Sequence, residues 1–197
     1  MDEAPGSAAA EIRRVESSDL AALSDFFAGL SPSTRYLRFF APITPTCAML
    51  RRLSGGTGTA DAVVAIAGGA IIGHAMAADR AGPRGGPMTE IGVVVADAWQ
   101  GSGVGSALVR ALITRAQARG VTSLAMDVLP GNHRVLAMIA SHWSGARTEE
   151  SADCLTVHVR LPLQRRRPLA APGPGGPAVA DQGNHRQPGR RRSYQHA

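Results

Sequence analysis

Gln100-Gly101-Ser102-Gly103-Val104-Gly105-Ser106 stands between an apolar run, Glu90-Ile-Gly-Val-Val-Val95, and a long apolar-periodic stretch ending at Arg119. Glycines at alternate positions let a backbone approach a ligand without side-chain obstruction. A helix that opens there presents unpaired N–H groups and the positive end of its dipole. The chemistry on offer is anion binding, most simply of a pyrophosphate.

Two well-known phosphate loops compete for the stretch. A P-loop requires Gly-Lys-Ser/Thr at its end, and Gly105-Ser106 has no lysine before it. A dinucleotide fingerprint has more support, because Gly101, Gly103 and Ser106 approximate GxGxxG and Asp127 closes the next strand about 20 residues on. Against it, the third glycine is replaced and too little structured chain follows Asp127 to finish a doubly wound sheet.

The elements that position the loop can be taken in order. Glu11–Val15 is a short strand, and Ser17-Ser18-Asp19 caps a helix carrying Leu20, Leu23, Phe26, Phe27 and Leu30. Ser31–Phe40 and Thr44–Leu53 are two shorter helical segments, each with a proline, Pro32 and Pro45, expected in its first turn. Phe26, Phe27, Tyr36, Phe39 and Phe40 crowd this region and read either as core or as the lining of a substrate cleft. Ala60–Ala67 and Ala70–Ala78 form a hairpin around Gly68-Gly69, and a Gly/Pro-rich loop over Asp79–Pro87 leads to a strand at Thr89–Val95. On that strand Ile91, Val93 and Val95 face one side and Glu90, Gly92 and Val94 the other. A helix from Val104 buries Val104, Leu108, Ala111, Leu112 and Ala116 and stops at Gly120. Val121–Val128 completes a parallel βαβ unit, and a helix over Arg134–Trp143 and a strand over Asp153–Leu161 follow. The expected class is α/β, an α+β mixed sheet flanked by helices.

Charge narrows the partners. Of a net +6, all is held by residues 163–197, with seven Arg against one Asp, while residues 1–162 balance 14 Arg with 14 acids. A neutral body argues against a nucleic-acid backbone as ligand. The tail, with Arg165-Arg-Arg167, Ala171-Pro-Gly-Pro-Gly-Gly-Pro177 and Arg190-Arg-Arg192, is expected to be disordered, either a solvated extension or a tether to an anionic partner; residues 1–10 are expected to be a flexible N-terminus. Cys47 and Cys154 make neither a disulfide framework nor a metal cluster, so no metal is expected. No signal peptide is legible, and Asp61, Gly68-Gly69, Gly73 and His74 interrupt the apolar run over residues 60–78, so no membrane association is expected and the chain reads as cytoplasmic. All 21 basic residues are Arg.

In element order and in its loop the chain resembles the GCN5-related N-acetyltransferases (GNAT), whose acetyl-CoA signature, Gln/Arg-x-x-Gly-x-Gly/Ala between a central strand and a helix, is matched by Gln100 through Gly105. The resemblance covers roughly residues 11–162 and implies acetyl-CoA as co-substrate. It places the pantetheine arm along the strand at Val93, Val94 and Val95. The pyrophosphate then falls on the amides of Gly101, Ser102, Gly103, Val104, Gly105 and Ser106, which follow Gln100, with Asn132 beside the cofactor. As an ordinary helix N-cap, Asn132 needs no such role. Ser102 stands where relatives often carry a basic residue.

Ser31-Pro-Ser-Thr-Arg-Tyr-Leu-Arg-Phe-Phe40 and the Glu90 strand are similar to the acetyltransferase domains of bacterial protein lysine acetyltransferases. That likeness implies a protein lysine as acceptor and Glu90 as general base for a directly attacking amine; the other reading of Glu90 is an exposed strand-end carboxylate. The tyrosine that many relatives use as general acid is replaced by Ser141, which leaves Tyr36, His142 or water. The alternatives are a non-catalytic acetyl-CoA sensor or scaffold and a small-amine acetyltransferase acting on an aminoglycoside or polyamine. A monomer or a homodimer is expected.

Overall fold

Val63 and Ala65 face one side of their strand, Ala62 and Val64 the other, and all four are buried, so helices must cover both faces of the sheet. The computed structural model describes residues 10–55, 59–82, 86–151 and 153–162. The expected N-terminal segment, apart from Ala10, and the expected tail lie outside the described residues.

The elements are β1 (Glu11–Arg14), α1 (Leu20–Gly29), α2 (Pro32–Phe39), α3 (Cys47–Leu53), β2 (Ala60–Ala67), β3 (Ala70–Ala81), β4 (Pro87–Val95), α4 (Val104–Ala118), β5 (Ser123–Val128), α5 (His133–His142), β6 (Arg147–Glu150) and β7 (Leu155–Arg160). They form a seven-stranded mixed sheet in the order β1-β2-β3-β4-β5-β7-β6. Every pairing is antiparallel except β4 with β5, where α4 makes the crossover.

One core gathers Leu108, Leu112 and Ala116 of α4 against Ala75, Ile91, Leu124 and Val157. The other packs Leu23, Phe26 and Phe27 of α1 and Leu50 and Leu53 of α3 against Ala62, Val64 and Val94. Gly73 lies where α4 crosses β3. A Cβ there would meet Leu108 Cδ1 at 2.9 Å, so the glycine sets how closely helix and sheet approach. Asp61, buried in the apolar strand β2, accepts from Arg115 and Arg119 near the end of α4 and locks that helix to the sheet.

Several boundaries differ from the sequence reading. Thr46 caps α3 by accepting from Met49 N–H, which puts Pro45 before the cap rather than in the first turn; Pro32 does occupy the first turn of α2, behind the Ser31 cap. Strand β3 runs on to Ala81 and β4 begins at Pro87, because the two pair continuously from Gly73–Val95 to Ala81–Pro87. Strand β6 carries no expectation from sequence. All four of its residues, Arg-Thr-Glu-Glu, are exposed at a sheet edge, so burial imposed no alternation on them.

Candidate functional site

Strand β4 is held by β3 along its whole length but by β5 only at Thr89 and Glu90. Beyond Glu90 no pair joins the two strands, while β5 stays paired with β7 on its other edge along its whole length, and the edge of β4 that faces β5 opens from Ile91 to Val95. Unpaired strand backbone beside an opening is an acceptor for an extended ligand that adds as a strand would. A cleft of about 320 Å³ runs along this opening, lined by Val93, Val94, Val95, Gln100, Gly101, Gly103, Gly105, Ser106, Asn132 and Arg134 among others.

At its far end the glycine turn takes the shape that the anion reading requires. Gly101 and Gly103 have φ of 84° and 87°, a region that side chains disfavour, and an added Cβ at either would meet open space. Gly103 stands as N-cap of α4, whose first turn leaves the N–H groups of Val104, Gly105 and Ser106 without intrahelical acceptors. Two of the named residues sit differently from the rest. Val104 is buried in the α4 core, and Ser102 turns its hydroxyl and N–H back to the Trp99 carbonyl, at 2.6 and 3.4 Å, so neither lines the cleft.

Gln100 acts as a strut. Its amide nitrogen donates to Thr34 Oγ1 at 3.0 Å and to the Val95 carbonyl at 3.2 Å, and its amide oxygen accepts from Arg134 Nη1 at 3.2 Å. Asp97 continues the network, accepting from Ser31 N–H, Ser31 Oγ and Thr34 Oγ1 at 3.0, 2.7 and 2.7 Å. Burial alone would raise its pKa, but the hydrogen bonds from Ser31 and Thr34 outweigh that and hold the carboxyl below its ordinary range. The start of α2 is thereby fixed to the turn before α4. Asp97, Thr34 and Arg134 were not singled out from sequence, because the partners lie more than 60 residues apart for Asp97 and 34 for Arg134.

A second cavity, of about 410 Å³, adjoins the cleft and shares Arg38, Val93 and Asn132 with it. Its titratable lining is Arg38, Glu90 and Asp127. Glu90 lies mid-strand, opposite Ala78 and at the last pair with β5, and its Oε2 meets Arg80 Nη1 at 2.7 Å. Asp127 accepts from Thr156 Oγ1 at 2.8 Å. Asn132 caps α5 through Oδ1 to Val135 N–H at 3.3 Å and lines both cavities, so capping and a place beside a ligand are compatible. The aromatics divide between their two readings. Phe26 and Phe27 are core, Phe39 and Phe40 line the second cavity, and exposed Tyr36 lines neither. Ser141 and His142 are exposed and also outside both, so no tyrosine among the described residues reaches either cavity.

Arg38 is the charged residue that sequence alone gave no reason to select. Its guanidinium lies against Gly92, where an added Cβ would come within 2.5 Å of Nη2, and over the Phe39 ring at 5.1 Å. Burial draws its pKa down to about 10, against the pull of Glu90. Its signal was there in part: Gly92, mid-strand and on the Glu90 face, marks a place where something approaches the backbone closely.

The family model described as the acetyltransferase (GNAT) family matches residues 31–142. Among solved structures, the GNAT domain of PAT from S. lividans is 26% identical, with a TM-score of 0.69 over 77% of this chain and 90% of that one. Ribosomal-protein-alanine N-acetyltransferase from Brucella melitensis is 21% identical, with a TM-score of 0.63 over 77% of this chain and 99% of that one. A GNAT superfamily phosphinothricin acetyltransferase from Sinorhizobium meliloti, in complex with acetyl-CoA, is 19% identical, with a TM-score of 0.60 over 78% and 88% of the two chains. No curated protein matches. Among the described residues no group of three or more His, Cys, Asp or Glu is placed to hold a metal ion, and no helix is long and apolar enough to cross a membrane. A chain matched by this family's model over more than half its length, and folded as its structural neighbours are, belongs to the acetyltransferase (GNAT) family, the acetyl-CoA-dependent N-acetyltransferases.

Proposed function

We propose that the protein transfers an acetyl group from acetyl-CoA to a primary amine, that a protein lysine is the acceptor, and that Glu90 is the general base. The observation that carries this reading is the layout of β4. Its backbone opens from β5 just after Glu90 and leads, past Val95 and a short turn over Asp97–Trp99, to the glycine turn. Glu90 and Val95 are five residues apart, roughly 17 Å of extended chain. One straight trough therefore joins a carboxylate to an anion site.

Acetyl-CoA supplies an activated thioester to this site. The open edge at Val93 and Val95 would take the pantetheine arm as an added strand, and a backbone N–H there would polarise the thioester carbonyl. The first turn of α4 would receive the pyrophosphate. Ser102 offers no charge, and Arg134, at the cleft wall and tied to Gln100, is the cation placed to replace it. Phosphate binding by one exposed Arg adds to the helix-terminus site without being required by it.

An amine reaches the second cavity as an ammonium and must lose a proton before its nitrogen can form the C–N bond. Glu90 receives that proton, directly or through a water, once the ammonium competes with Arg80 for the carboxylate. As the C–S bond breaks, the attacking nitrogen gives up its second proton to solvent and the thiolate takes one from solvent, no tyrosine among the described residues lining either cavity. Support for a protein acceptor is the likeness to PAT, a protein acetyltransferase.

The Arg80–Glu90 ion pair also gives the second reading, an acetyl-CoA-binding module without turnover, a specific basis. Release of CoA thiol, measured against lysine peptides, polyamines and aminoglycosides with Glu90→Gln as control, separates the two. An enzyme loses rate and keeps its acetyl-CoA affinity on that change; a sensor binds acetyl-CoA and releases thiol with none of the amines.

A further inference from the structure

We infer that the acceptor carries a carboxylate close to the amine that is acetylated, and that Arg38 binds it. The inference rests on the proposed placement of acetyl-CoA and names the acceptor class of that same site.

Four buried side-chain polar atoms lack a hydrogen-bond partner among the described residues: Arg35 Nε, Arg38 Nε, Asp61 Oδ1 and His74 Nδ1. Arg35 reaches the Ala28 carbonyl and Thr44 through Nη1, Asp61 is clamped by arginines, and His74 bonds the Leu53 carbonyl through Nε2. Arg38 alone of these has no hydrogen bond from any of its nitrogens. Its Nε is buried without an acceptor, and its guanidinium lies against Gly92 and over the Phe39 ring, at a wall that the two cavities share. A buried donor without a partner is costly, and a ligand group that accepts from it removes that cost.

The missing partner does not belong to the cofactor as placed. Gly92 lies three residues before Val95, about 10 Å along the strand, and the phosphates fall beyond Val95 at the turn. The part of acetyl-CoA nearest Arg38 would be the uncharged thioester end. The anion must then arrive with the acceptor. Hydrogen bonding agrees: Glu90 already meets Arg80 and Asp127 accepts from Thr156, whereas no acceptor among the described residues meets Arg38, which feels Glu90 only through the charge. An acceptor bearing only an ammonium would leave the Arg38 donors unsatisfied. An acceptor with both groups sets its carboxylate on the guanidinium, whose planar donors suit bidentate binding, and its amine toward Glu90.

Two sources share this chemistry: an acidic residue next to a protein lysine, and the carboxylate of a free amino acid. The test uses two lysine peptides that differ only in Glu or Gln beside the lysine, 4-aminobutyrate, and putrescine as an amine without an anion. Each is followed by CoA release and by calorimetric binding to the CoA-saturated protein. Wild type should favour the Glu peptide or 4-aminobutyrate over its anion-free counterpart by at least about tenfold. Arg38→Gln should abolish the preference and Arg38→Lys should restore part of it. Gly92→Ala, which forces the guanidinium from its seat without removing its charge, should weaken the preference too. Arg38→Met should melt no lower than wild type in the absence of acceptor, because it removes a buried donor that has no acceptor. The peptide and amino-acid arms identify the source. Equal use of anionic and neutral acceptors, or a preference that survives Arg38→Gln, overturns the inference and leaves acetyl transfer standing. Preferential binding with no thiol release from any amine overturns the proposed turnover and leaves the carboxylate site standing.

Discussion

The two ends of the trough along β4 are finished differently. At the glycine turn the polar side chains are mutually satisfied: Asp97 holds Ser31 and Thr34, Thr34 holds Gln100, and Gln100 holds the Val95 carbonyl and Arg134. At the Glu90 end the Arg38 guanidinium has a buried Nε and no hydrogen bond among the described residues, and the carboxylate it faces is held by a half-exposed arginine. A satisfied network rigidifies, whereas an unsatisfied one waits for a group that completes it. The contrast suits a site whose one end receives an invariant phosphate through backbone and whose other end selects an acceptor.

Four measurements break or sharpen the contrast. Glu90→Gln should lower kcat by about 100-fold or more while the KM for acetyl-CoA stays near wild type, read by steady-state CoA release. A parallel rise in that KM would show that the two ends are not separate.

His74 tests how far the Arg38 charge is felt. Burial, with the Arg38 charge adding to it, draws its pKa to about 4, against the Leu53 carbonyl that would raise it. The unfolded imidazole titrates near its ordinary value of 6.5, so between these two values the unfolded chain binds the extra proton. Stability contributed by the neutral ring is complete above the higher value, falls as pH drops through the window and levels off below the lower one. The loss should be on the order of 3 kcal/mol, measured by urea unfolding across that range, and Arg38→Gln should shrink it. A slope unchanged in Arg38→Gln would separate the two residues electrically.

Asp97→Ala tests the satisfied end. It leaves Ser31 and Thr34 without their acceptor and should cost about 1–3 kcal/mol in the same unfolding assay, with weaker acetyl-CoA binding as the loop loosens. No change in stability would reduce the network to surface decoration. Smallest is Arg134→Ala, which should weaken acetyl-CoA binding by roughly threefold to tenfold, and less at high salt, if a single exposed cation supplements the helix terminus.

Much of this molecule was legible in order along the chain. The parity of β4 placed Ile91 with the α4 core and Val94 with the α1–α3 core, as alternation required. The burying face of α4 followed from helical spacing, apart from Ala111, which is only partly buried, and Val109, which is buried without having been expected. Interruptions of the apolar run were legible as interruptions and not as functions: Gly73 is where α4 seats, Asp61 is an arginine clamp, and His74 fills the core beneath Phe27. Strand β6 was invisible because an exposed edge leaves no periodic trace.

What the sequence by itself determined is what short-range geometry dictates: a strand, a turn whose glycines adopt positive φ, and a helix whose first N–H groups are free, the geometry on which the proposed anion site rests. Only the tertiary structure decided where β4 parts from β5, that Gln100 braces the loop rather than lining it alone, and that Arg38 reaches Gly92 with no hydrogen bond among the described residues. Each of these is a relation between segments distant in the chain, set by how helices pack on a sheet, and local patterns of residue type carry no record of it.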